Sequence, residues 1–239
     1  MRVGIHQINY FPWMGYFNKI AKSDKFVLLD EVQLTDSETM QRNRLLNKNG
    51  DIAFITVAFN KKNYMRKKFA DIETNKNVDW QKRQYNFLYD NYHKFDAWNE
   101  VYDAISPIFE NDYNTLQEVN IGALNIICNL LNIDTSKFIY QSSLDYDRKA
   151  QKNDLVLNIC KSVNADIYLS GNGAKKYMDI DSFSKAGITV QYQKFVHPEY
   201  PQKYSKDCVK GLSILDVLLN CGIEDTRELF WKNLCADEN

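Results

Sequence analysis

Apolar and polar segments alternate over the first 33 residues in a way that predicts a short strand–loop–helix–strand unit. An apolar stretch at 3–8 leads into the aromatic turn Tyr10-Phe11-Pro12-Trp13, a helical stretch covers 13–21, and a second apolar run at 26–29 ends in Asp30. If the two strands are neighbours in a parallel sheet, their carboxyl ends meet at the edge where open α/β sheets bind ligands. The polar residues at these two ends are therefore the first candidates for chemistry.

The middle of the chain changes character twice. Two segments at 44–48 and 52–59 flank Asn49-Gly50, which is a strong hairpin turn signal, and a short strand is expected at 69–72. Apolar residues then recur at helical spacing through most of 78–132. This part of the chain predicts a hairpin followed by a mostly helical lobe.

Strand and helix signals alternate again in the last hundred or so residues. Strands are expected at 138–141, 167–169 and 188–193, with helices at 154–163, 183–186, 212–219 and 224–234. No segment has the composition of a linker. The pattern predicts a single α/β domain over residues 1–239, with a central, mostly parallel sheet flanked by helices and the helical lobe at about 78–132 as an insertion.

Composition narrows the class of protein. The chain has 239 residues and a formal net charge of −1, which argues against a general nucleic-acid binder. Its five cysteines have no CxxC spacing, so neither a metal site nor a disulfide framework is expected. The sequence shows no signal peptide and no apolar run long enough for a membrane span, and we expect a cytoplasmic protein. The oligomeric state is not indicated.

One basic run interrupts this neutral background, at Lys61-Lys62-Asn63-Tyr64-Met65-Arg66-Lys67-Lys68. Such a run can hold the phosphates of a nucleotide sugar or of RNA. A solvated loop between strands explains it as well. The sequence leaves both interpretations open.

The candidate catalytic residues lie at the two strand ends. His6 has an ordinary pKa near the operating pH and could act as a general base, although a histidine bonded to a backbone carbonyl would look the same. Gln7 follows it and can supply a hydrogen-bond donor. Asp30 ends the second strand and is the other candidate base, or could orient a sugar hydroxyl or a reacting amine.

The candidate ligand-binding residues follow other elements. Arg44 with Asn43 could make a bidentate contact to phosphate or carboxylate. In Ser170-Gly171-Asn172-Gly173, which follows a strand and precedes a possible helix, backbone N–H groups could approach an anion. A tight turn with positive φ would explain the two glycines equally well.

Four more polar side chains are candidates for the same ligand site, namely Tyr10, Gln33, Tyr177 and His197. His197 lies in a loop with prolines at both ends, which could present it rigidly or could be plain packing. The sequence has no GxSxG or HExxH motif and no dinucleotide-binding fingerprint after its first strand. No metal is expected.

The opening residues also carry a resemblance to a known family. Residues 6–33 have the pattern HQxxYFPWxGYFxKIxxxDxFxxxDxVQ and resemble the start of the WbqC-like protein family. The similarity continues in order along nearly the whole chain, through residues 41–44, 168–173 with Tyr177, 187–188 and 212–222. Family members are often encoded among bacterial O-antigen and other surface-polysaccharide genes, and one role proposed for them is glycine (aminoacyl) transfer to an amino sugar.

The resemblance implies a transferase that adds an acyl or aminoacyl group to the amine of a nucleotide-linked amino sugar. The donor could be acyl-CoA, an aminoacyl-tRNA or an otherwise activated acid, and a tRNA donor would give the basic run at 61–68 a purpose. The resemblance assigns no catalytic residue.

Two other functions stay open. Strand–loop–helix with a glycine early in the helix is similar to the opening of ATP-dependent adenylating ligases, but the paired histidines of those enzymes are missing from Pro12-Trp13-Met14-Gly15-Tyr16. The protein could also bind a sugar nucleotide without catalysis, as a scaffold in polysaccharide assembly.

Overall fold

The structure is a computed structural model that describes residues 1–34, 39–176 and 178–236. Its strands are β1 (Arg2–Gln7), β2 (Lys25–Leu29), β3 (Arg42–Leu46), β4 (Ile52–Thr56), β5 (Phe138–Tyr140), β6 (Ile167–Ser170) and β7 (Thr189–Tyr192). Five of them form one parallel sheet in the order β5-β2-β1-β6-β7, and β3 and β4 form a separate antiparallel pair.

The helices within the described ranges are α1 (Met14–Ala21), α2 (Trp80–Tyr92), α3 (Trp98–Ile105), α4 (Pro107–Glu110), α5 (Leu116–Leu130), α6 (Lys152–Ser162), α7 (Ile180–Lys185), α8 (Ile214–Cys221) and α9 (Ile223–Ala236). The predicted α/β fold is confirmed. In the described part of the chain, none of these helices has both the length and the apolarity needed to cross a bilayer.

The strand order explains why one edge of the sheet is special. The chain passes from β1 through α1 to β2 on one side, and later enters β6 on the other side of β1. The order therefore reverses at the boundary between β1 and β6. In open parallel sheets such a reversal leaves a crevice at the carboxyl ends of the two central strands.

The hairpin is confirmed, whereas the strand expected at 69–72 is wrong. Asn49-Gly50 turns the chain between β3 and β4, with φ of 84° at Gly50. The segment Phe69–Asp71 is instead a 3-10 turn. Phe69 and Ile72 are three positions apart and are both fully buried, which suits a turn with one inward face and not a strand.

The two faces of the sheet have different cores. Val3 and Ile5 point into a smaller cluster with α6 and α7, as the period of two in a strand requires. Gly4, between them, packs so tightly that a Cβ there would lie 2.7 Å from the ring of Phe26. The larger cluster joins α1, the aromatic turn, the helical lobe and α8.

The helical lobe is bonded directly to the loop after β1. The amide of Asn120, on α5, is fully buried and donates to the carbonyls of Ile8 at 2.8 Å and Met40 at 2.7 Å. The lobe therefore shares a core and buried hydrogen bonds with the sheet.

Candidate functional site

The central strands separate where the strand order reverses. β1 pairs with β2 over residues 3–7, but it pairs with β6 only over residues 2–4. Beyond Gly4 and Leu169 no further pair between β1 and β6 is formed within the described residues. We call the space between residues 5–7 and residues 170–173 the fork. It occupies the position at which open α/β sheets bind ligands.

Lys19 of α1 reaches into the base of the fork. Its ammonium nitrogen donates to the carbonyl oxygen of Ile5 at 2.7 Å, just past the last β1–β6 pair, and lies 6.0 Å from the centre of the Tyr168 ring. Only 2% of the side chain is exposed, and no carboxylate of the described residues pairs with it. Burial lowers the pKa of Lys19 from 10.5 to about 7.

His6 lies on the β1 side of the fork as a neutral imidazole. Its Nδ1 is 3.1 Å from the carbonyl oxygen of Gln7, and because a carbonyl can only accept, Nδ1 carries the proton and Nε2 is the acceptor. The hydroxyl of Tyr16 donates to the same carbonyl at 2.9 Å. Burial, reinforced by the charge of Lys19, lowers the pKa of His6 from 6.5 to about 3.

Two glycines line the other side of the fork. Neither Gly171 nor Gly173 has a left-handed backbone, so the alternative of a positive-φ turn does not explain them. A Cβ at either position would meet no described atom within 4 Å, so close packing does not explain them either. Glycine at such positions exposes the backbone for close approach of a ligand.

Hydrogen bonds fix this glycine turn in place. The backbone N–H of Gln193 donates to the carbonyl of Ser170 at 2.8 Å, and the amide of Asn172 donates to the carbonyl of Gln193 at 3.0 Å. The Gln193 side chain then donates to the carbonyl of Gly15 at 2.7 Å. The turn is thereby held to the start of α1. Ser170 is fully buried, and among the described residues its hydroxyl donates to the carbonyl of its neighbour, Gly171, at 3.3 Å.

The helix expected after the glycines is only a five-residue 3-10 turn, Asn172–Lys176. A turn this short has little of the dipole of a long helix. Lys175 and Lys176 are exposed at its end, and the Lys175 nitrogen lies 5.7 Å from the centre of the Tyr192 ring. Attraction of an anion to this side of the fork would come from these two lysines.

Asp30 lies one strand away from the fork and is bonded within the protein. Its carboxylate oxygens accept from the backbone N–H of Ser142 at 2.9 Å and from the Ser142 hydroxyl at 2.5 Å. The residue is 2% exposed. The carboxylate thus joins the end of β2 to the segment after β5, which is a positioning role and not that of a free base.

Three further sequence candidates hold the scaffold together. Tyr10 is fully buried and its hydroxyl donates to Gln84 at 2.7 Å. The amide of Asn43 donates to the carbonyl of Tyr10 at 3.1 Å, which fixes the aromatic turn. The guanidinium of Arg44 donates to the carbonyl of Gly211 at 2.9 Å. These hydrogen bonds hold the three side chains within the scaffold and not at the fork.

The remaining candidates differ in setting. Gln33 is exposed beyond the end of β2. His197 is half-buried, stacks on Trp13 at 6.5 Å between ring centres, and has a pKa lowered by burial; its Nδ1 lies 2.9 Å from the carbonyl of Pro198. Tyr177 lies outside the described residues.

Comparison with known proteins gives the family. A model of the WbqC-like protein family matches residues 7–228. The chain belongs to this family. It is also similar to the uncharacterized protein Rv1507c of Mycobacterium tuberculosis, with 32% identity over 225 residues that cover 93% of this chain and 95% of that protein. No solved structure matches the chain.

The family match covers α1 with Lys19 and the glycine turn after β6, but of β1 it includes only Gln7. His6 therefore lies one residue before the matched range. The family name itself states no activity.

Sequence reasoning missed two residues of the fork. Lys19 stands in the motif shared with the family, at the K of HQxxYFPWxGYFxKI, but a lysine in a short amphipathic helix is ordinarily a surface residue. Gln193 follows the last strand without any motif. Neither residue had a signal in the sequence, and only the structure shows that Lys19 belongs to a helix whose other residues are almost all buried.

The polar groups of the fork are an imidazole, an amine, amides and backbone N–H groups. Within the described ranges, no three His, Cys, Asp or Glu side chains come together as a ligand set for a metal ion. The arrangement therefore offers hydrogen-bond donors and acceptors to a bound molecule.

Proposed function

We propose that this protein is an N-acyl or N-aminoacyl transferase that acts on the amine of a nucleotide-linked amino sugar for a bacterial surface polysaccharide. The observation that carries the proposal is the fork, where a neutral imidazole near the end of β1 and an exposed glycine turn after β6 both lie at the carboxyl edge of the sheet, at its switch point. Family membership supports the biological setting.

The reaction requires a neutral amine and a place for its proton. The amine nitrogen attacks the donor's carbonyl carbon, a nitrogen–carbon bond forms, and the bond from that carbon to the leaving sulfur or oxygen breaks. Nε2 of His6 accepts the hydrogen bond from the attacking amine. Because the pKa of His6 is about 3, the imidazole is too weak a base to take up the proton, so it orients the amine and the proton passes from the amine nitrogen to the leaving sulfur or oxygen.

Lys19, the glycine turn and the two lysines after it have supporting roles in the proposed reaction. Burial, reinforced by the charge of Lys19, lowers the pKa of His6, so the imidazole stays an acceptor through the neutral range. The open space at Gly171 and Gly173 lets the oxyanion of the tetrahedral intermediate approach the backbone N–H groups of this turn, which act as its hydrogen-bond donors. Lys175 and Lys176 attract the diphosphate of the sugar nucleotide.

The test is mass spectrometry of a nucleotide-linked amino sugar after incubation with the protein and a panel of donors. The panel holds acyl-CoA, aminoacyl-tRNA and an acyl adenylate. We expect the sugar to gain the mass of one acyl group with one of them, and His6→Ala to slow this transfer. A sugar that binds but is never modified would contradict transfer and favour the scaffold function.

A further inference from the structure

The basic run at 61–68 borders a surface cavity that the proposed transferase function does not use. The cavity has a volume of about 510 Å³ and is lined by Asn60, Lys61, Lys62, Asn63, Lys67 and Glu73. Three ammonium groups therefore face one carboxylate. From the sequence alone, a solvated loop was the favoured interpretation at this place and a phosphate site was the alternative.

The carboxylate of Glu73 has partners within the protein, whereas two of the three lysines pair with no carboxylate of the described chain. The amide of Asn60 donates to Glu73 at 3.1 Å and Lys67 approaches the same carboxylate at 3.5 Å. Lys61 and Lys62 are exposed, and no carboxylate of the described chain pairs with either. The cavity thus has a surplus of positive charge.

The loop that forms the cavity is anchored at the carboxyl edge of the sheet. The backbone N–H of Ala70 donates to the carbonyl of Asp30 at 3.0 Å, and that of Phe69 donates to the carbonyl of Val32 at 2.8 Å. Lys68 pairs with Glu31 at 2.5 Å. Every one of these anchors is on the segment directly after β2.

The position of the anchors gives the cavity a relation to the fork. β2 is the neighbour of β1 on the side opposite β6, and adjacent strands are about 4.8 Å apart. Lys175 and Lys176 follow β6, and the loop that carries Lys61 and Lys62 is anchored beyond the end of β2, so basic segments follow strands on both sides of β1. A single sugar diphosphate accounts for one of these two sides.

We propose that the basic cavity binds the phosphate groups of the acyl donor, so that the donor is a phosphate-bearing carrier. This inference rests on the proposed transferase function. Coenzyme A and aminoacyl-tRNA share the required chemistry, since each joins an activated acyl group to a phosphorylated adenosine. An activated acid without phosphate would leave the cavity without a ligand.

The experiment compares two charge-reversal pairs in the full chain. Lys61→Glu with Lys62→Glu removes the surplus charge of the cavity. Lys25→Glu with Lys161→Glu makes the same change in net charge at two exposed lysines on the amino side of the sheet. Binding of pyrophosphate, coenzyme A and deacylated tRNA is measured by titration, and thermal melting checks that both pairs fold.

We expect coenzyme A or tRNA to bind the unaltered protein, and the Lys61/Lys62 pair to weaken that binding about tenfold, or about 1.4 kcal/mol. The control pair should change it less than about twofold. If tRNA is the ligand, the slope of log affinity against log salt should become shallower by about 0.7 for each phosphate that the variant no longer neutralises. The arm that binds identifies the carrier.

Three results would overturn the inference: equal weakening by both pairs, unchanged binding by the Lys61/Lys62 pair, or binding of pyrophosphate with neither carrier. The sugar-acylation assay separates this inference from the function it rests on. Acylation from a donor without phosphate, at the same rate in the Lys61/Lys62 pair, would end the carrier inference and leave the transferase. Binding of coenzyme A or tRNA at the cavity without acylation from any donor would end the transferase proposal and leave the carrier-binding cavity.

Discussion

The ammonium nitrogen of Lys19 donates to the carbonyl oxygen of Ile5 at 2.7 Å, at the point where β1 parts from β6. A lysine in this position has little contact with water and no carboxylate partner among the described residues. Burial therefore disfavours the charged form of Lys19 in the native state, and this destabilised charge lies at the centre of the candidate site.

Replacing Lys19 with Met should change how stability depends on pH. In the native state the amine titrates at about 7, whereas in the unfolded chain it titrates near 10.5. Between these values only the unfolded chain binds the proton, so the stability of the unaltered protein falls by up to about 1.4 kcal/mol for each unit that pH decreases.

Lys19→Met lacks this slope, although it also leaves the Ile5 carbonyl without its donor at every pH. We expect its stability relative to the unaltered protein to improve as pH decreases from 10 to 7. Urea unfolding at pH 7, 8, 9 and 10 measures the difference, and Lys25→Met is the exposed control. A difference that is the same at all four pH values would refute the buried titration.

His6 should give a pH dependence in the acid range. Its folded pKa of about 3 lies below the value of 6.5 for a free histidine, so the native imidazole stays neutral while the unfolded one is charged. Stability from this source is complete above pH 6.5 and is lost as pH falls toward 3.

His6→Gln should remove that loss and keep a side chain of similar reach. Unfolding at pH 5 and pH 7 would show a smaller decrease for His6→Gln than for the unaltered protein. His93→Gln, at the end of α2, serves as the control. Equal decreases in all three proteins would mean that His6 titrates normally.

The glycines should divide into structural and ligand-facing positions. Gly171→Ala and Gly173→Ala place a methyl group where no described atom lies within 4 Å, so we expect stability within about 0.5 kcal/mol of the unaltered protein. Binding of the sugar nucleotide should weaken, because the methyl group occupies the ligand's approach to the backbone.

Gly4→Ala is the matched contrast, because its Cβ would lie 2.7 Å from the Phe26 ring and should cost about 1–3 kcal/mol through overpacking. Thermal melting and ligand titration together separate the two classes. Full ligand affinity in both Gly171→Ala and Gly173→Ala would exclude the glycine turn from the site.

Asp30 should behave as a structural residue. Asp30→Asn keeps an acceptor oxygen but replaces the other with an N–H donor, which faces a donor of Ser142. We expect a loss of about 1–3 kcal/mol in unfolding free energy. Ser142→Ala removes only the hydroxyl partner and should cost less. An Asp30→Asn protein of unaltered stability that fails in transfer would restore Asp30 as a catalytic candidate.

Much of this architecture could be predicted from local patterns. The unit from β1 to β2 is short and its apolar runs are clear, and Asn49-Gly50 specifies its hairpin through the left-handed conformation at Gly50. The strand predicted at 69–72 is wrong because Phe69 and Ile72 are apolar residues that pack into the core beneath a turn. Two buried residues three apart do not distinguish a turn from a strand in so short a stretch.

The sequence predicts the position of the fork but not its geometry. It places His6 and Gly171 at one edge of the sheet, because each lies near the end of an apolar run that predicts a strand. The extent of the fork depends on where the pairing of β1 with β6 stops, and no residue type encodes that. The burial of Lys19 could not be predicted either, because a lysine in a short helix is ordinarily exposed.

The two buried hydrogen bonds of Asn120 bear on how this molecule moves. They join α5 to the backbone just after β1 and just before β3, so the helical lobe cannot swing away from the crevice without breaking both. The lobe and the sheet should therefore open as one unit. Hydrogen exchange should find the amides of α5 and those of the β1 region protected to a similar degree.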